Sequence, residues 1–462
     1  MVTVIGAGFA GVEAAWAVAE AGFPVRLFEM RPVQSTPAHT TGFFAELVCS
    51  NSLKSMLPTS PAGLLKEEMA ALGSIVLRIA EDHRVPAGEA LGVDRNNFGA
   101  AITAALENHP NITVERRPVG PEEIAAMTGE VILATGPLTT PDVAEWLASE
   151  TGRDRLYFFD AVAPTVEASS INLEVAFSQS RYDKGGDDYL NCPFDKETYE
   201  AFVHELVHAE RAPFHAFEAG GVRGEVEVGE AYKLQTLEDR FTEQVKYFAG
   251  CMPIEVIAER GARSLAFGNF KPVGLTDPRT GRRPWAALQL RPENKEKTLY
   301  SLVACQTRLK WGEQKRVFRM IPGLENAEFV RYGVIHRNTY LDAPRVLNPD
   351  LTLKNRPNIG ISGQLTGVEG YVESAAMGIY SGLVAVARLR GDSLPVPPRE
   401  TAYGSLISHL MDDTPRDFAP MNINWGLLPD PEPVPRDKAV KRAMKLEAAR
   451  AAFTSWQASR QA

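Results

Sequence analysis

Val2-Thr3-Val4-Ile5-Gly6-Ala7-Gly8-Phe9-Ala10-Gly11 opens the chain as an apolar strand running into a phosphate-binding turn. Eighteen residues past Gly11, the run Pro24-Val25-Arg26-Leu27-Phe28 ends in Glu29. Each part has a task in holding a dinucleotide. Gly6 permits the tight turn, Gly8 lets the backbone approach a pyrophosphate, and Gly11 lets the next helix pack close to the sheet. The pyrophosphate sits on the positive end of that helix, Val12 to Ala21, where Ala7, Phe9 and Ala10 complete the turn. Glu29 stands where it accepts hydrogen bonds from a ribose. A lone GxGxxG is weak evidence. This one follows a strand, precedes an Ala-rich helix closed by Gly22, and has its acid at the right spacing.

A second α/β signal lies at Glu130-Val131-Ile132-Leu133-Ala134-Thr135-Gly136-Pro137, a buried parallel strand ending in a small turn. In open α/β sheets ligands meet such strand ends, which selects Thr135 and Gly136. The pattern returns late. Asn358 to Gln364 reads as a strand, and Leu365-Thr366-Gly367-Val368-Glu369-Gly370-Tyr371 leads into a helix expected to start near Ser374. That helix is rich in small residues, which let its N-terminus press amides against a ligand. Gly363, Gln364, Thr366, Gly367 and Val368 are therefore candidate contacts. A sheet starting at residue 2, finishing near 385 and split by a long insertion suits FAD, which needs an adenine end and a flavin end. There is no second GxGxxG, so no separate NAD(P)H domain is evident.

The expected architecture is an α/β, Rossmann-like, glutathione-reductase-like FAD-binding domain with a large inserted α+β domain. Residues 1–160 and 331–394 form the two parts of the first, and 161–330 form the second. Residues 395–435 hold nine prolines and read as an extended wrap, closed by a helix over 437–456. One continuous helix is expected over 62–80.

With 462 residues, 44% hydrophobic and 23% charged, the composition is that of a soluble protein. No signal peptide is expected before a strand that begins at Val2, no membrane span is expected, and cytoplasmic residence is the default. The net charge of −9 argues against nucleic-acid binding by the whole surface. Local patches exist. Arg308, Lys310, Lys315, Arg316 and Arg319 face one acid, Glu313, and the stretch Arg436 to Arg450 has six basic residues against two acids. Either run, taken alone, is more often a solvated helix face.

The four cysteines form no CxxC, which disfavours zinc and dithiol redox chemistry. Cys49 precedes Ser50-Asn51-Ser52, a run that suits a turn or helix start, where a thiol is acidified. Cys251 lies between Gly250 and Met252-Pro253, in an expected loop. Cys192 and Cys305 read as buried small hydrophobes. His336-Arg337-Asn338 admits a catalytic or a structural reading.

Together these segments resemble the folate- and FAD-dependent tRNA (uracil-5) methyltransferases, the TrmFO family. ELVCSN (46–51), GCMPIE (250–255) and GEQKRVFR (312–319) are specific to it, and matching stretches run in order to NINWGLLP (422–429). Two departures stand out. Residues 219–246 look longer than the family pattern, and Ala249 stands where Glu is expected. A related flavoprotein family that modifies the wobble uridine of tRNA shares the early glycine turn, but it is larger and carries a helical C-terminal domain. A flavin-bearing RNA-binding protein without catalysis is the rival from another class.

The resemblance implies 5,10-methylenetetrahydrofolate as carbon donor, FAD as cofactor, NAD(P)H as reductant and 5-methyluridine at position 54 of the tRNA T-loop as product. It implies one or two working thiols, here Cys49 and Cys251. Cys251 attacks C6 of uracil, and Cys49, near the flavin, acts as general base or guard, with the roles open to exchange. Tyr371 is then expected to stack on the folate pterin, and Arg308 to Arg319 to contact tRNA phosphates.

Overall fold

The computed structural model describes residues 1–36, 38–152, 156–161, 163–181, 188–212, 252–333, 335–414 and 418–460. Cys251 and the 219–246 stretch lie outside the described residues.

Strand Val2–Ile5 is fully buried, and it is the centre of a six-stranded sheet. It pairs in parallel with Val25–Glu29 on one side and Glu130–Leu133 on the other, with Val2 opposite Val25 and Glu130. Ile112–Arg116 extends the sheet beyond Val25–Glu29, and Arg356–Ile361 extends it beyond Glu130–Leu133. Only the edge pair Thr352–Leu353 with Arg356–Ile361 is antiparallel. Strands buried on both faces need no alternation, which is why VTVI and EVIL read as continuous apolar runs.

Helix Phe9–Glu20 and helix Tyr371–Leu389 cover one face of this sheet and press on each other. A Cβ on Gly378 would lie 2.2 Å from the Ala10 carbonyl oxygen, so only glycine allows this approach. The later helix begins at Tyr371, three residues before the expected start. It is long and apolar enough to cross a membrane, but 78% of its most apolar window is buried inside the protein.

The expected helix over 62–80 is two helices, Pro61–Ala71 and Ile75–Asp82. Gly73 turns the chain at φ +85°, and Ser74 caps the second helix through Leu77 N–H. The expected extended wrap contains a helix, Ala402–Leu410. Thr401 caps it at Gly404 N–H, and the carboxylate of Glu68 accepts from Ala402 and Tyr403 N–H.

The chain leaves the first sheet through Leu156–Ala161 and returns through Ile335–Tyr340, which pair antiparallel. Between them lies a second six-stranded sheet, all antiparallel, in the order Phe177–Ser178, Leu190–Phe194, Ala286–Pro292, Leu299–Leu302, Thr165–Glu167, Phe329–Arg331. It has its own apolar core, built on Phe194, Phe202, Phe270 and Phe318. Helix Lys438–Ser459 folds back on the first domain, where Arg450 pairs with Glu67 at 2.8 Å and the Trp456 indole N–H donates to Pro395 O.

Candidate active site

The strand ends and helix starts just described surround a cavity of about 480 Å³. Gly6, Gly8, Phe9 and Ala10 line it from the first turn, with Glu29, Thr135 and Gly136 from the neighbouring strand ends. Gly363, Gln364, Gly370 and Tyr371 line it from the late turn, and Arg291, Gln306 and Asn338 from the inserted side. Of the other expected contacts, Ala7 and Gly11 lie behind the turn. A Cβ on Gly11 would lie 1.7 Å from Gly6 O, so this glycine serves packing. Thr366, Gly367 and Val368 do not line the cavity. Thr366 and Val368 are buried, and Gly367 faces the Phe418 ring.

Glu29 is 4% exposed. Its Oε2 accepts from Ala7 N–H at 2.9 Å, and its Oε1 accepts from Arg31 N and Nε. Burial would push this carboxyl up, but the Arg31 guanidinium and the two backbone donors outweigh it and hold it below the usual range. A carboxylate has about four lone-pair sites. Three are taken here, which leaves Oε2 one site for a hydroxyl. Arg31 was not singled out from sequence. It is buried between Glu29 and Glu46, at 2.8 Å from each.

Cys49 lies at the cavity wall in a bend that leads into strand Ser52–Ser55, not at the start of a helix. The bend forms because Ser50 Oγ accepts from Ser52 N–H, after which the chain pairs with Ala90–Val93. Four side chains from four elements grip it. The Tyr371 hydroxyl accepts from Cys49 N–H at 2.8 Å and lies 2.9 Å from its Sγ. Arg95 donates to Leu47 O, Arg331 to Val48 O at 3.3 Å, and Arg291 to Ser50 Oγ at 2.8 Å. One buried acid, Glu293, pairs with Arg95.

Three guanidiniums around one carboxylate leave the pocket short of negative charge. Burial, then the neighbouring Arg95, push Arg331 down to about 10, and burial lowers Arg291. The Nε atoms of Arg291 and Arg331 are buried without a hydrogen-bond partner among the described residues. The positive field that sequence ascribed to a helix start at Cys49 comes from these arginines. Burial, then proximity to Cys49, pushes the Tyr371 phenol well above its usual value, so it keeps its proton. With its oxygen accepting from Cys49 N–H, that proton is free to point at Sγ.

Cys192 and Cys305 are fully buried, and burial pushes both thiols up, in keeping with inert packing. Asn338 faces the cavity and is buried. The basic run is largely spent within its own domain. Lys310 pairs with Glu210, Arg316 with Glu205 and Glu313, and Arg319 with Glu328. Arg308 is buried. Lys315 is half-buried, with no ion pair among the described residues.

A family model described as "Glucose inhibited division protein A" matches residues 1–393. A Desulfitobacterium hafniense protein named methylenetetrahydrofolate–tRNA-(uracil-5-)-methyltransferase TrmFO is 52% identical over 444 residues, 96% of this chain and 95% of that protein. The chain belongs to the TrmFO family. An Oleidesulfovibrio alaskensis protein of the same name is 50% identical over 457 residues, 98% of this chain and 96% of that one. Among solved structures, Aquifex aeolicus GidA superposes with a TM-score of 0.61 at 17% identity, covering 89% of this chain and 67% of that one. At that identity the likeness speaks for the fold.

The residues present in this TrmFO-family chain fit FAD. Two helix N-termini, at Phe9 and Tyr371, open on one cavity, and neither has a side-chain cap. Each offers first-turn amides to phosphate or ring oxygens. Gly8 faces the cavity, and a Cβ there would meet no atom within 4 Å. A methyl at Gly8 thus costs the protein nothing but enters the space a pyrophosphate needs. Gly8→Val is expected to give a folded protein with a wild-type far-UV spectrum and no yellow colour. Flavin retention at the wild-type level would contradict that.

Proposed function

We propose that this chain transfers the one-carbon unit of 5,10-methylenetetrahydrofolate to C5 of a tRNA uridine, position 54 of the T-loop, with reducing equivalents from NAD(P)H through FAD. The relatives' shared name supports the reaction class. The observation that carries the reading is Cys49 on the wall of a dinucleotide-shaped cavity, held by Tyr371 and faced by arginines.

The chemistry needs one thiol to attack C6 and a base for the C5 proton, which a second thiol can supply. C5 of uracil is a poor nucleophile until C6 is attacked, and a thiolate does this well. In our reading Cys251 is that nucleophile. Cys49 then removes the C5 proton, or protects the cofactor, from a fixed position. Arg291 and Arg331 place positive charge beside the bend that carries Cys49. Gly6, Gly8, Glu29, Thr135, Gly136, Gly363 and Gln364 hold FAD, which when bound supplies reduction at this wall. Tyr371 serves twice, as hydrogen-bond partner of Cys49 and as a stacking surface for the pterin. Lys315 and its neighbours add weak phosphate contacts.

The test is a transfer assay on unmodified tRNA with purified protein, NADPH and methylenetetrahydrofolate carrying a labelled methylene. The expected result is label in 5-methyluridine, lost when folate is omitted. A yellow protein that binds tRNA and transfers no label would overturn the reading in favour of the wobble-uridine class or of a structural flavin.

A further inference from the structure

The second cavity, about 550 Å³, lies between the loop after Asn422 and the first turns of helix Lys438–Ser459. It coincides with the C-terminal basic run and with NINWGLLP, of which only Asn422 lines the catalytic cavity. Loop and helix are built around Lys445, which is buried and donates to Trp425 O, Leu428 O and Asp430 at 2.7–2.8 Å. Lys441 takes the other Asp430 oxygen at 2.6 Å. The one acid lining the cavity is thereby spent on two lysines. Arg399, Lys438 and Arg442 also line it, are exposed, and have no ion pair among the described residues. The Arg442 guanidinium lies 5.9 Å from the Trp425 ring centroid. Trp425 is half-buried, one side packed on the main core and the rest lining the cavity. An aromatic ring beside cations without ion pairs is what a single-stranded, phosphate-bearing segment requires.

Position supports the same occupant. Asn422 lines the catalytic cavity, and Trp425 lines this one. Three residues span about 10 Å at most. The loop between is pinned to the catalytic side, because Met421 and Gly367 are hydrogen-bonded and Ile423 N–H donates to the buried Glu373 carboxylate. The walls of the two cavities therefore lie within a few nucleotides' length of each other.

We propose that this cavity binds the RNA strand flanking the target uridine, Lys438, Arg442 and Arg399 taking phosphates and Trp425 stacking a base. The proposal rests on the tRNA reading above, and it moves the main phosphate contacts from residues 308–319 to the C-terminal helix. The test is binding of unmodified tRNA by the flavin-loaded full chain at several salt concentrations. The double variant Lys438→Glu/Arg442→Glu is expected to lose at least tenfold in affinity at low salt and to have a log–log salt slope shallower by about 1.5, two contacts at about 0.7–0.9 each. Trp425→Ala is expected to lose about tenfold with little change in slope, and Trp425→Phe to recover most of it. Flavin absorbance and thermal midpoint check that each variant is folded. Wild-type affinity and slope in the folded double variant would overturn the proposal and leave the surface to another partner, such as an acidic protein. These readouts use no catalysis, so a wild-type chain that binds tRNA but transfers no label would sink the reaction and leave this site standing.

Discussion

Cys251→Ala will not form a covalent complex with tRNA carrying 5-fluorouridine, Cys49→Ala will, and each will lose about 10³-fold or more in methyl transfer. Fluorine at C5 blocks the proton loss that normally releases the enzyme, so whichever thiol attacks C6 remains attached. In the proposed function Cys49 takes the other task. Its amide is tied to the Tyr371 hydroxyl, and the residues on either side are held by Arg95, Arg331 and Arg291. A group fixed this way suits a proton transfer, which demands a set distance, better than a bond-forming approach. Gel-shift trapping with each variant reads the assignment directly. Trapping by Cys251→Ala, with none by Cys49→Ala, would exchange the roles.

The FAD turn was legible because it is local. Strand, turn, helix and acid lie within the first 29 residues, and their spacing carries the whole argument. The arginine grip on Cys49 was not, since Arg291 and Arg331 bond to Ser50 and Val48 across 241 and 283 residues of chain. The ion pairs of the basic run were hidden for the same reason. Counting along 308–319 finds one acid, whereas Glu205, Glu210 and Glu328 arrive from outside the run to neutralise it. Periodicity failed at Gly73, where a single left-handed residue redirects a pattern that stays apolar on both sides. Proline count hid the helix Ala402–Leu410, whose decisive feature is a cap at Thr401 and a carboxylate from Glu68 far away in sequence.

Glu293→Ala is expected to lower stability by about 3–5 kcal/mol, because it strands buried guanidiniums without their one anion. Glu293 is 4% exposed. Burial pushes its carboxyl up, but Arg95 first, then Arg331 and Arg291, hold it below the usual range. The sign of the pH dependence follows. A depressed folded pKa contributes stability that is present in full above the unfolded carboxylate range and fades as pH falls through the folded value. The wild type should therefore lose this increment only in acid, and Glu293→Ala should show a flatter acid limb in thermal unfolding at stepped pH. Equal acid limbs in the two proteins would sink the idea. The double change Arg95→Met/Glu293→Leu should recover part of the loss, since it removes one of the three stranded charges along with the pair. It should not recover methyl transfer. Arg95 stands at the start of helix Arg95–Glu107 in the first domain, and Glu293 follows strand Ala286–Pro292 in the second. Their ion pair joins the two sheets beside the Cys49 bend, and Arg95→Met also removes the Arg95 hydrogen bond to Leu47 O, so packing restored without charge leaves the bend short of one of its four holds.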